Sequence, residues 1–393
     1  MAPSATLNDI KKTKNRDKGI LIIAAFLAII SFLTSISTHV WLGQLFYLIL
    51  AGVAMFTFSK IKYSNLSRFG GVGLIAAFIL LLLTRILGGF DARSIEIGSF
   101  QVQTMYLIGF LLTFYYCRDL TIIINQKIEG KIKENPLSRG KTIFYLCILF
   151  ICCGLIFTSK QSTALILFLI CCIIMLIGGV KIKSIITAIA IALLLIFCIT
   201  YLNLFRTDTL VNRITYWWTG ELTTEKIAES NNLSAAEIKE LERYYKEYGE
   251  QMIYSQAMIA RANWLPIRVG EAQLKDRIPA AKNDYVFAVI VEEFGIIIGI
   301  FVLFLYLFLL FRSIRIAQHT QGIFGKLLAT SIGLWISLLA IIHIAVNCGL
   351  MPATGETLPL ISNGGVGIVF TGILLGILLN ISKYSDLEEN IIS

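Results

Sequence analysis

The chain is expected to fold as an all-α membrane protein, a polytopic bundle of about ten transmembrane helices with one long extracytoplasmic loop that itself carries helices. Three observations predict this. Apolar residues fill 56% of the 393 positions, mean hydropathy is +0.77, and the apolar residues gather in repeated runs of about 17 to 25, each able to cross a bilayer core of roughly 30 Å. Runs of that length exclude a soluble fold, and the whole of 1–393 reads as a single transmembrane domain.

The first run opens near Gly19, behind Lys11, Lys12, Lys14, Arg16 and Lys18, and reaches about Ser37 without a small-residue cleavage pattern. It is read as a retained anchor rather than a removed signal. The spans lie at 19–37, 41–59, 70–89, 103–118, 142–158, 162–180, 185–204, 285–311, 327–348 and 363–382. An even number puts both termini on one side. That side carries 20 Lys and Arg, against only Arg93 and Lys160 in the opposite short loops. By the positive-inside rule, 1–18 is then a cytoplasmic tail, 205–284 a long extracytoplasmic loop and 349–362 a short one. The net charge of +9 faces anionic inner-leaflet lipid rather than nucleic acid.

The eight cysteines fall almost entirely inside spans, where they behave as small apolar residues and offer no disulfide framework or zinc spacing. His39, His319 and His343 fall in an outer loop, an inner loop and the ninth span, so no shared metal site is expected. In the 205–284 loop 11 basic residues balance the 11 carboxylates that precede Asp284, which marks a solvated surface. Ser234-Ala-Ala-Glu237 has the form of a capping box. The stretch from there to about Ala262 is rich in helix formers, so one or two helices are expected along the outer membrane face.

Two polar patches interrupt the apolar pattern: 277–284, leading into a span that holds Glu292 and Glu293, and 349–365. A carboxylate at the mouth of a membrane helix is costly and points to function. Asp284 stands at such a helix N-terminus, a place that favours an anion; a plain N-cap by Asn283 or Asp284 is the competing reading. Glu292 and Glu293 lie about two turns into the span, so hydrogen bonding that fixes this helix is the favoured role. Pro352, Gly355, Pro359, Gly364 and Gly365 fit a tight re-entrant or flattened turn.

These strings resemble the SEDS family, which includes FtsW, RodA and SpoVE. The resemblance is carried by Phe100, Val102 and Gln103, by Ser162-Thr-Ala164, by Arg213-Ile-Thr-Tyr-Trp217, by Gln256-Ala-Met-Ile-Ala260 and by both polar patches. The string Thr354-Gly-x-Thr-Leu-Pro-Leu-Ile-Ser-x-Gly-Gly365 is the most specific. The loop strings stand nearer the FtsW branch than the RodA branch. The resemblance implies ten spans in a bacterial cytoplasmic membrane and polymerisation of lipid II, an undecaprenyl-diphosphate-linked disaccharide peptide, into glycan strands during division or shape maintenance. It also implies a class B penicillin-binding protein as transpeptidase partner, among other divisome or elongasome membrane proteins. No cofactor is called for, and a divalent cation is left open.

Carried onto this chain, the family's essential aspartate is Asp284, the expected base for a sugar hydroxyl that attacks an anomeric carbon bearing a lipid diphosphate. Asp276 is a candidate supporting carboxylate. Arg213, Arg93 and Arg85 are placed to meet the departing diphosphate, and Thr354, Thr357 and Ser362 to donate to glycan or phosphate. A lysine that faces the aspartate in the family has no counterpart around Thr104, Tyr106 and Gly109. Its role then falls to another cation, such as Arg93, Arg213 or Lys282. Two other functions compete. A lipid II flippase would string ionisable residues through several spans, and a non-catalytic divisome scaffold would tolerate the lost lysine.

Overall fold

The computed structural model describes residues 17–67, 70–88, 95–97, 100–102, 104–128, 139–158, 160–201, 214, 217–218, 251–266, 274–278, 280–320 and 322–392. Among the described residues ten long helices carry the fold: α1 (Lys18–Ser37), α2 (Trp41–Phe58), α3 (Gly70–Gly88), α4 (Thr104–Ile128), α5 (Arg139–Phe157), α6 (Gln161–Ile177), α7 (Ile182–Tyr201), α8 (Val286–His319), α9 (Ile323–Asn347) and α10 (Val366–Ile392). Among the described residues seven helices are long and apolar enough to cross a membrane, and Gly71–Thr84, Gln161–Ile177 and Ile182–Cys198 are shorter apolar helices. The chain is a multi-pass membrane protein. Three helices run well past the predicted spans, α4 to Ile128, α8 to His319 and α10 to Ile392. Arg312 and Arg315 are good helix formers, and Arg312 is held by Asp17, so α8 continues where the apolar run stops.

Three small elements were not expected from sequence: a five-residue helix, Tyr63–Ser67, a 3₁₀ turn, Lys275–Arg277, and a hairpin of β1 (Ile95–Ile97) and β2 (Phe100–Val102). The strands pair antiparallel with Ile95 opposite Val102. Three-residue strands are too short for an alternating pattern to register. In the long loop, 251–261 is helical; the rest of the expected helix, with its capping box, lies outside the described residues.

Helices pair where small residues let backbones touch. Gly372 and Gly376 of α10 face α2 so closely that a Cβ would stand 2.4 Å from the Ala51 carbonyl oxygen and 2.5 Å from that of Met55. In lipid, where apolar burial does not drive helices together, such close approach supplies the packing energy. α8 packs on α9, α3 on α4, and α6 against α4, α5 and α9. Ile20, Leu112, Ile170, Leu328 and Leu378 are fully enclosed, while Ile29, Ile49, Leu193 and Phe304 are more than half exposed on the perimeter, where lipid replaces water as solvent.

The end of the bundle where α1 begins is tied through Asp17. Its carboxylate caps Ile20 N at 3.2 Å and accepts from Arg312, and its own N–H donates to Ser382 Oγ at 3.2 Å, which joins α1, α8 and α10. At the opposite end α8 is broken at Gly295 (φ 85°). There Ile296 N bonds the Asn263 carbonyl at 2.9 Å, and a Cβ on residue 295 would stand 2.6 Å from the Trp264 carbonyl oxygen. The long-loop segment thus fills the break and satisfies a donor the helix releases.

Candidate functional site

Residues 349–365 leave α9 and turn back into the bundle. The Ile361 carbonyl accepts from Ser31 of α1 at 3.3 Å and from Gln44 of α2 at 3.0 Å. Ser31 lies six residues before the end of α1, so the segment dips about 9 Å below that end. The Pro359 carbonyl accepts from Tyr306 of α8 at 2.5 Å. Between these anchors Leu360 holds φ 70°, a conformation that costs a non-glycine residue roughly 1–3 kcal/mol and persists only where its surroundings enforce it. A backbone at membrane depth must be satisfied by protein, and here hydroxyl and amide side chains of α1, α2 and α8 do so. The segment is re-entrant. Gly365 (φ 47°) closes it, with Tyr47 so near that a Cβ would stand 3.2 Å from its ring.

The entry to α8 is stitched onto this segment. Ser362 Oγ accepts from Leu358 N at 2.8 Å and donates to the Asn283 carbonyl at 2.7 Å, and Asn363 N bonds the Lys282 carbonyl at 3.0 Å. Asp284 is half-buried beside Gly355 (φ 65°), where a Cβ would stand 3.6 Å from its Oδ2. The N-cap position of α8 is Tyr285, whose side chain makes no capping bond. Instead Asn347 of α9 accepts from Ala288 N at 3.0 Å through Oδ1 and donates to the Asp284 carbonyl at 3.1 Å through Nδ2. A neighbouring helix therefore supplies the cap, and the N-cap reading of Asn283 or Asp284 gives way to one in which Asp284 stands just ahead of a capped, positively polarised helix end.

A buried polar cluster adjoins it. Glu356 is 1% exposed and pairs with Lys160, at the mouth of α6, at 3.0 Å. Its two carboxylate oxygens also accept from Tyr106 of α4 at 2.5 Å and from Ser162 and Thr163 of α6 at 2.6 Å and 2.8 Å. Lys160 donates as well to Tyr106 Oη at 2.7 Å. Burial works against charge on Glu356, but the Lys160 ammonium and the hydroxyl donors hold its carboxyl below its ordinary value. Burial likewise opposes charge on Lys160, and Glu356 with Tyr106 holds its ammonium above the usual lysine range. The Glu356 carbonyl accepts from His343 Nδ1 at 2.7 Å.

A second buried ion pair lies at the end of α1. Lys275 meets Glu293 at 3.0 Å and donates to the Ser37 carbonyl at 3.0 Å and hydroxyl at 2.8 Å, while Ser37 itself donates to Glu293. Glu292 is buried alongside on α8.

Of the residues singled out from sequence, the structure brings together Asp284, Gly355, Pro359 and Ser362. Thr354 presents its carbonyl to Ser162 at 3.2 Å, with its own hydroxyl enclosed and without a protein partner. Thr357 and Pro359 line a cavity of ≈ 30 Å³ with Tyr106, Trp335, Phe370 and Thr371. Pro352 and Gly364 are half-buried in the same segment, and Asp276 and Lys282 are exposed. Arg93 and Arg213 lie outside the described residues, as does the side chain of Arg85. Trp217, in the same string as Arg213, donates to the Gly349 carbonyl at 2.7 Å. Sequence reading missed Lys160, Glu356, Asn347 and Lys275. Lys160 carried one signal, being one of two basic residues in the short loops expected to be extracytoplasmic. Among the described residues no group of three His, Cys, Asp or Glu could hold a metal ion.

The fold and this site define a polytopic membrane protein whose re-entrant polar segment closes over a helix-mouth aspartate. Residues 18–387 match the profile of the cell cycle protein family FtsW/RodA/SpoVE, and the chain belongs to that family. A relative from Bacillus subtilis, "Probable peptidoglycan glycosyltransferase FtsW", is 26% identical over 369 residues, 90% of this chain and 84% of the relative. A protein of the same name from Thioalkalivibrio sulfidiphilus is 37% identical over 139 residues, only 34% of this chain and 35% of that protein. Among solved structures, one reported under the words "Structural coordination of polymerization and crosslinking by a peptidoglycan synthase complex" superposes with a TM-score of 0.72 at 19% identity, over 94% of this chain and 98% of that one. RodA of Thermus thermophilus gives 0.63 at 17% identity, over 93% and 96%. At these identities the likeness is one of fold.

Proposed function

We propose that the chain is a peptidoglycan glycosyltransferase that polymerises lipid II into glycan strands at the outer face of the bacterial cytoplasmic membrane, with both termini cytoplasmic. The observation that carries this reading is the half-buried Asp284 carboxylate set against Gly355, ahead of a helix end capped from α9. A carboxylate so held can take the proton of an acceptor-sugar hydroxyl as its oxygen forms the new glycosidic bond and the lipid diphosphate leaves. Arg213, Arg93 and Arg85 remain the candidates to meet that diphosphate, Asp276 and Lys282 flank the site, and Thr354 and Thr357 offer hydroxyls to it. The relatives' names and family membership support the reaction class. The partner we propose is a class B penicillin-binding protein, the crosslinking counterpart of such a polymerase.

The test is polymerisation of lipid II by the purified full chain. Asp284→Asn keeps size and removes charge, so it should fold and insert normally while the rate falls by at least about two orders of magnitude, the cost of losing a general base. An Asn variant within a few-fold of wild type would refute the role of Asp284 and favour the scaffold or flippase reading.

A further inference from the structure

Gly355 has no side chain to hold it and adopts a backbone conformation open mainly to glycine, so its place beside Asp284 depends on what grips its neighbours. Both neighbours are gripped. The Thr354 carbonyl accepts from Ser162, the Glu356 carbonyl accepts from His343, and the Glu356 side chain is bound by Lys160, Tyr106, Ser162 and Thr163. Donors from α4, the α6 mouth and α6 itself converge on two carboxylate oxygens, which leaves that side chain one orientation.

Tight packing alone would not call for charge here. A buried ion pair is generally no more stabilising than apolar residues of the same volume, and its better-attested use is to specify one geometry among several. We infer that Lys160 and Glu356 form a charged latch that sets where Gly355 stands against Asp284, and that both are positioning residues for chemistry at that carboxylate. The inference rests on the glycosyltransferase reading. Neither residue touches the reacting atoms: Glu356 acts through the peptide it shares with Gly355, and Lys160 acts through Glu356. The latch spans two connections remote in sequence, so it locks the re-entrant segment to the α4–α6 side of the bundle while Ser362 and Asn363 lock it to α8.

The test uses purified full chain in detergent and reads two quantities, lipid II polymerisation kinetics and amide hydrogen exchange across 353–358. Glu356→Gln keeps shape and hydrogen-bonding capacity but removes the charge. It should lower kcat at least about tenfold with KM within about threefold, because a small displacement of an aligned group costs turnover more than binding. The same variant should speed exchange across 353–358 at least about tenfold as the segment opens locally. The exchanged pair Lys160→Glu with Glu356→Lys restores opposite charges and should recover both readouts to within a few-fold of wild type. A folded Glu356→Gln with wild-type kcat and exchange overturns the latch, as does an exchanged pair no better than the single variant. If Glu356→Gln fails to fold, the exchanged pair decides alone: folding with recovered turnover supports the latch, and failure to fold reduces the cluster to a structural role and overturns it. A wild-type chain that makes no glycan, while exchange responds as expected, supports the latch and sinks the polymerase reading instead.

Discussion

Two buried ion pairs sit at the loop end of this bundle, Lys160–Glu356 and Lys275–Glu293, each at 3.0 Å, and they solve different problems. In the first, hydroxyls from two membrane helices converge on the carboxylate, one residue from the glycine that faces Asp284. In the second, the lysine comes from a 3₁₀ turn of the long loop and reaches Ser37 at the end of α1, two residues from the broken helix at Gly295. Identical chemistry therefore positions a short segment over an acid in one place and fastens an 80-residue-scale loop to the membrane helices in the other. What differs is the neighbour: a catalytic candidate beside one pair, a helix break filled by Asn263–Leu265 beside the other.

This contrast can be broken experimentally. Lys275→Met would remove the ammonium 3.0 Å from the buried Glu293, and breaking a buried pair typically costs about 3–5 kcal/mol. Thermal unfolding of the purified chain should show that loss, while the molecules that remain folded should polymerise lipid II at close to wild-type kcat. A large fall in kcat at unchanged stability would make the two pairs equivalent and end the distinction drawn here.

Asn347→Ala probes the side of the site that neither pair holds. It removes the cap at Ala288 N and the donor to the Asp284 carbonyl, so stability should fall by about 1 kcal/mol, the usual worth of a cap. Turnover should fall several-fold as Asp284 loses its support. Unfolding and polymerisation measured on one preparation check both, and a stability loss without any change in rate would leave Asp284 held by the re-entrant segment alone.

The smallest effect expected is with pH. Glu356 has a folded-state value below its ordinary one, so its contribution is present above about pH 4.3 and disappears as pH falls through the lowered value. Lys160 is raised, so its contribution is present below about pH 10.4 and disappears as pH rises through the raised value. The stability difference between wild type and Glu356→Gln should therefore stay flat from about pH 5 to 9 and shrink outside that window. A slope inside it would mean that the pair is not charged throughout.

Most of the architecture was legible in the sequence because each apolar run answers to the bilayer on its own. Each of the ten predicted spans falls on a helix, and seven helices among the described residues are long and apolar enough to cross a membrane; the glycines and prolines of 349–365 marked a segment that turns back. Asp284 was legible through its place at a helix mouth and its resemblance to a family motif. Glu356 lay in plain view within the same string but reads as one more loop carboxylate until Lys160 is brought to it. Asn347 reads as the last polar residue of a span, and only packing makes it the cap of the next helix. The hairpin at 95–102 was too short to show a period.

Composition and hydropathy thus determined, by themselves, that the chain spans a membrane repeatedly and where along the chain its polar segments fall. The bilayer imposes length and polarity on every run separately, so those properties are local and additive along the chain. Tertiary structure alone decided that Lys160 meets a carboxylate 196 residues away, that a long-loop lysine neutralises Glu293, and that Asn347 caps α8. Each of those choices is made in a low-dielectric interior where a buried charge or an open helix end must find a partner, and no local pattern says which one it finds.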